Sequence, residues 1–123
     1  MLLESFRQSC DAFHRALKTL QTIATQANLN GTSLQTAFLE VQQLFQLHIA
    51  SADLAPLDPA IATKLQSLLV EINKQLRLIG VDIMFLQAAR QPPTAQKRQK
   101  QLSDRLQLLS SYCTAIRELV ANH

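Results

Sequence analysis

Turn-forming residues are scarce in this chain: 123 residues hold 2 glycines and 4 prolines, and tryptophan is absent. So few turn formers exclude a sandwich or barrel of many short strands, and no glycine-rich loop is present to cradle a phosphate. Long apolar runs are missing too. No stretch reaches the roughly 18 apolar residues that a membrane-spanning helix requires. The segment Met1 to Arg7 lacks the basic, apolar and small-residue regions of a secretory signal, so the chain is expected in the cytoplasm. There Cys10 and Cys113 are expected to remain thiols rather than a structural bridge. The length suits a single domain, residues 1–123, that buries a core without staples, and no repeat or linker divides it.

Charge is mild in total and uneven in placement. The formal net charge is +3, less than the concentrated basic face of a dedicated nucleic-acid protein. Residues 1–61 carry three basic and five acidic side chains, whereas residues 62–123 carry nine basic and four acidic ones. The second half is the basic half.

Apolar residues recur at helical spacing in four segments, at about 3–28, 33–52, 59–90 and 94–121. The first stripe is Leu3, Phe6, Cys10, Phe13, Leu17, Leu20, Ala24 and Ala27, closed by Asn28 to Gly31, where Asn and Gly tolerate a left-handed cap. Thr32 with Gln35 is a capping-box pattern opening the second helix, whose stripe is Leu34, Phe38, Val41, Phe45, His48 and Ala52. Asp58-Pro59 opens the third as cap and first-turn proline; its heptad is Leu65, Leu69, Ile72, Leu76, Ile79, Ile83 and Leu86. Gln91-Pro92-Pro93-Thr94 stops that helix, and Thr94 is placed to cap the fourth, with stripe Leu102, Leu106, Leu109, Cys113, Ile116 and Val120. Four amphipathic helices with short connections predict an all-α, antiparallel up-down-up-down bundle. The fifteen glutamines fall mostly on polar faces of these helices.

Helix lengths single out the hairpin between the third and fourth helices. At about 1.5 Å per residue the second helix is roughly 30 Å long and the third roughly 48 Å, so the third is expected to overshoot at its Arg90 end. That tip carries Arg90, Lys97, Arg98, Lys100 and Arg105 against Asp104 alone. Below it, Leu76 to Leu86 is apolar nearly all round the helix. One seam cannot use every side chain there, so Leu78, Val81, Met84 or Phe85 must face something else. Gln96 to Gln101 offers no large apolar cover, which leaves the first helix or a partner to supply it. Gly80 marks a close approach or a bend; Asp82 is the charged residue best placed for partial burial, with a solvated side chain or a local pair with an arginine the favoured reading.

Reactive chemistry finds little support. Of His14, His48 and His123, only His14 shares a helix face with a carboxylate at ligand spacing, Asp11, and no Glu-x-x-His pair exists. Cys10 and Cys113 occupy core positions, with no base to activate a thiol. The expectation is a protein without catalytic residues, metal or cofactor.

The segment Glu71 to Gln91, read as EINKQLRLIGVDIMFLQAARQ, together with Arg105-Leu106-Gln107-Leu108-Leu109, Tyr112-Cys113, the overall length and the basic Gln91-Pro92-Pro93-Thr94 hairpin, resembles the cyanobacterial heterocyst-frequency control protein PatD family. The resemblance covers about the second half of the chain. It implies a small, non-enzymatic regulator that limits how many cells of a filament become heterocysts. It also implies action by protein contact, with the tubulin-like division protein FtsZ as candidate partner and the division site as candidate location. No binding residue is carried over from it.

The residues themselves point to the same hairpin. Leu78, Met84 and Phe85 are the expected apolar anchors, and Arg90, Lys97, Arg98 and Lys100 the steering charges toward an acidic protein surface. A nucleic-acid regulator using the basic tip is the less favoured alternative, since no aromatics interleave with the basic residues for base stacking. A structural homodimer through the third helix is the other.

Overall fold

The strongest start signal in the sequence is used as its chemistry dictates. Asp58 Oδ1 accepts a hydrogen bond from the Ala60 N–H at 2.9 Å, Pro59 takes the first helical position, and helix α3 runs Pro59–Ala88. In this computed structural model, which describes residues 2–27 and 29–121 with side chains from Glu4 onward, three further α-helices accompany it: α1 (Leu2–Ala24), α2 (Gly31–Leu44) and α4 (Pro92–Ala121). A π turn, Phe45–Ile49, extends α2. No strand occurs among the described residues, and the fold is an all-α four-helix bundle.

Bonds between α1 and α4 fix their antiparallel run. Arg7 Nη2 donates to the Val120 carbonyl at 2.9 Å, Arg117 lies 3.2 Å from Asp11, Gln21 donates to Leu106 and Gln99 to Ala24, so numbers rise in one helix as they fall in the other. The apolar stripes meet between the helices. Phe6, Cys10, Phe13, Leu17, Leu20 and Ala24 face Leu34, Phe38 and Val41, the heptad of α3, and the whole predicted stripe of α4 from Leu102 to Val120. Each buried Leu, Ile, Val or Phe among them adds about 1.5–3 kcal/mol. Phe13 and Phe45 cross in the core with centroids 6.0 Å apart.

Several boundaries differ from expectation. α1 stops at Ala24 rather than near residue 28, and Ala27 is exposed; Asn28 and the Leu3 side chain lie outside the described residues. Among the described residues no left-handed cap follows, since none of them has positive φ. α2 starts two residues early: its cap is Asn30, whose Oδ1 accepts from the Ser33 N–H at 3.1 Å, and not Thr32. The two prolines begin α4 instead of only ending α3, since a first turn has no use for their missing N–H groups. Ala95 N–H reaches the Gln91 carbonyl at 2.9 Å, so Thr94 is already inside the helix.

The π turn corrects the second stripe. Ala50 N–H bonds the Phe45 carbonyl at 2.7 Å, five residues back, and the extra residue turns Ile49 into the core while leaving His48 exposed.

The excess length of α3 also lies at the end opposite to the expected one. Gln87 bonds the Gly31 carbonyl at the start of α2, and Gln99 bonds the Ala24 carbonyl at the end of α1, so these elements are level near the α3–α4 turn. Gln66, Leu69, Val70 and Asn73 stand opposite Phe45–Ala50, and the first residues of α3 pass beyond α2 beside the 50–58 connection. At the tip, only residues 92–98 of α4, about 10 Å, extend past α1.

Candidate functional site

Two columns of side chains meet along the outer edge of the α3–α4 pair. On α3 they are Leu78, Asp82 and Phe85; on α4 they are Arg98, Arg105 and Leu108, spaced by three, four or seven residues as one helix face requires. Arg98 lays its guanidinium over the Phe85 ring, with Cζ 4.6 Å from the centroid. Arg105 and Asp82 form an ion pair, Nε facing Oδ2 by proximity rather than as an aligned hydrogen bond. Asp82 is 3% exposed, more deeply buried than the solvated or locally paired side chain favoured from the sequence. Its arginine comes from the neighbouring helix, so the pair ties α3 to α4 just below the tip.

The predicted anchors do not share a surface. Phe85 is 48% exposed and partly roofed by Arg98, and Leu78, one heptad earlier on the same column, is half-buried. Met84 is 62% exposed but sits about 100° around the helix from Phe85, on the side of α3 that faces α2, together with Val81 and Val70. No α1 residue covers Met84 or Val81, because α1 packs on α2 and α4 and not on α3.

The steering charges divide likewise. Arg90 in the turn and Lys97 in the first turns of α4 are exposed. Arg98 is committed to Phe85, and Lys100 sits 3.3 Å from Asp104 in a fully solvated pair that leaves its charge available. Behind them, Gln99 Nε2 donates to the Ala24 and Gln26 carbonyls at 2.7 and 3.1 Å, and Gln87 Nε2 to the Gly31 carbonyl at 3.1 Å. Two amides thereby anchor the base of the tip to the α1–α2 connection. Sequence reasoning missed this use of glutamine, and it also passed over the exposed Leu39, Val70 and Leu108.

Elsewhere, both cysteines are buried free thiols. Burial pushes the Cys10 thiol up to about 12, helped by nearby Cys113, and burial pushes Cys113 up to about 11. His14 is driven below its ordinary value, first by burial and then by Arg117 and Lys18; its Nδ1 is buried without a hydrogen-bond partner. Among the described residues no three His, Cys, Asp or Glu side chains converge to hold a metal ion; His123 lies outside them. No helix among them is long and apolar enough to cross a membrane.

No protein-family model, curated protein or solved structure matches this chain.

Proposed function

We propose that this chain is a non-enzymatic regulatory protein that works by protein contact through the α3–α4 hairpin, in the manner implied by its resemblance to the PatD family. FtsZ is the partner to test first, and the cytoplasmic division site the place. The observation that supports this reading is the nearness of exposed apolar side chains to a surplus of positive charge: Val81, Met84 and Phe85 stand exposed below a tip where Arg90, Lys97, Arg98 and Lys100 outnumber the single carboxylate, Asp104. Exposed aromatic and methionine side chains anchor interfaces, and flanking charge speeds the encounter and selects an acidic surface.

Light scattering over a concentration series, with and without purified FtsZ, tests it. A monomer that gains mass only with FtsZ, and loses that gain when Arg90, Lys97 and Arg98 are changed to glutamate, is the expected result. A mass unchanged by FtsZ removes that partner. Binding to random duplex DNA that weakens steeply with salt replaces the reading with the nucleic-acid one.

A further inference from the structure

At the end of the bundle remote from the tip, the first turns of α1, the π turn and the 50–58 connection enclose a cleft of about 470 Å³. Small-ligand sites typically occupy about 300–1,000 Å³, so the space is of the right order for one. The π turn shapes it. Its extra residue sends Ile49 into the core and leaves Leu47 and His48 on the wall of the cleft. In an unbroken α-helix His48 would follow Phe45 on the core stripe, and this wall would lose its imidazole. Apolar side chains form the rest of the body: Phe6 is 7% exposed, Leu47 is 66% exposed, and Leu54 and Leu57 of the connection are half-buried.

The fixed charges of this lining are carboxylates. Asp53 Oδ1 accepts the Ala55 N–H at 3.0 Å and Asp58 Oδ1 accepts the Ala60 N–H at 2.9 Å, which holds each carboxylate in place and leaves its second oxygen for another donor. Nothing basic answers them. The chain has no lysine or arginine from Thr19 to Thr63, and among the described residues no ion pair reaches either aspartate. Arg7 is engaged elsewhere, with the Val120 carbonyl and Glu4. The backbone adds the same sign: the rod made by α2 and the π turn ends here with the negative pole of its dipole, and its last turn carries His48 but no lysine or arginine. The positive poles at the starts of α1 and α3 are met by Glu4 and by the Asp58 cap.

We infer that this cleft binds a small organic cation, an ammonium carried on an apolar alkyl or aryl body. The body lies against Phe6, Leu54 and Leu57, and the ammonium donates to the carboxylates of Asp53 and Asp58. A neutral molecule of the same shape leaves both carboxylates unused, and an anion meets them as like charges. The inference is independent of the protein-contact reading, because the cleft and the tip lie at opposite ends of the bundle.

The test uses the full chain with labelled methyl groups at pH 8 and three probes of similar size: phenethylammonium, phenylethanol and phenylacetate. Phenethylammonium is expected to shift the methyl signals of Leu47, Ala52, Leu54 and Leu57. It should bind about five-fold more tightly than phenylethanol, the gain that a partly solvated ion pair supplies, and phenylacetate should bind most weakly. Asp53→Asn with Asp58→Asn keeps both oxygens for the backbone N–H groups while removing both charges, so the fold is retained and the cation and the alcohol should bind alike. Ser5→Phe, at an exposed position on the wall, should fill the cleft and reduce binding of all three probes. Equal binding of cation and alcohol to the parent protein, tighter binding of phenylacetate, shifts centred on other residues, or no shift up to the solubility limit of phenethylammonium each overturns the inference. So does a cation preference that survives the double asparagine variant, or binding undiminished in Ser5→Phe.

Discussion

Arg105→Met should be among the most damaging single changes outside the apolar core. Asp82 is 3% exposed, and the guanidinium of Arg105 is its one ionic partner among the described residues. Removing one member of a buried pair strands the other charge, typically at about 3–5 kcal/mol. Arg105 keeps 26% of its side chain in solvent, so water shares in the solvation of the pair and the low end, about 3 kcal/mol, applies. Against a domain stability of about 5–15 kcal/mol that is a large fraction, and for a chain this size it lowers Tm by about 12 °C. Replacing both members, Asp82→Leu with Arg105→Met, removes the stranded charge and should return stability to within about 1 kcal/mol of the parent. Urea unfolding of the four proteins of this double-mutant cycle reads the coupling directly. An Arg105→Met protein within about 1 kcal/mol of the parent, or a double variant as unstable as the single, would refute the view that Asp82 is held by Arg105 alone.

Other expectations are more local. Neither Cys10 nor Cys113 should react with an aromatic disulfide reagent at pH 8 in the native protein, since their thiols are pushed up to about 12 and 11, and both should react once urea unfolds the chain; fast native labelling contradicts the burial. His14 is depressed below 6.5, so the unfolded chain takes up its proton first: its contribution is intact above about pH 6.5 and is lost as pH falls through that range. His14→Gln should therefore flatten the loss of stability between pH 7 and 5, and an unchanged slope rules this out. Asn30→Ala should lower stability by about 1 kcal/mol and Thr32→Ala by less than about 0.5 kcal/mol, in calorimetry; the reverse order would restore Thr32 as the cap.

The parts of the fold legible in the sequence are those governed by strong local chemistry or long unbroken periods. Asp58-Pro59 can hardly be anything but a helix start, and the heptad from Leu65 to Leu86 runs too far to belong to another element. What escaped depends on single residues or on distant contacts. A π turn adds one residue to a period of three and four, and alternate steps of that pattern absorb it, so His48 and Ile49 exchange roles without a trace in the spacing. Asn30 and Thr32 are both acceptable caps in isolation, Asn the better, and the contacts that hold Gly31 level with Gln87 accompany the earlier start. At the hairpin, periodicity revealed a surplus of apolar side chains but not their directions. Treating Leu78, Met84 and Phe85 as one patch ignored the 100° per residue that sends Met84 toward α2 and Phe85 toward α4.

The amides at the base of the tip have a kinetic consequence. Gln87 and Gln99 hold the hairpin to the other helices through uncharged bonds to carbonyls, whereas Arg90 and Lys97 beyond them and Lys100 next to Gln99 are solvated charges. Mobile ions screen the second group and leave the first untouched. Raising ionic strength therefore strips the long-range attraction from a platform whose shape does not change. For any acidic partner, association should slow with added salt while the lifetime of the complex, set by the apolar contacts, stays nearly constant.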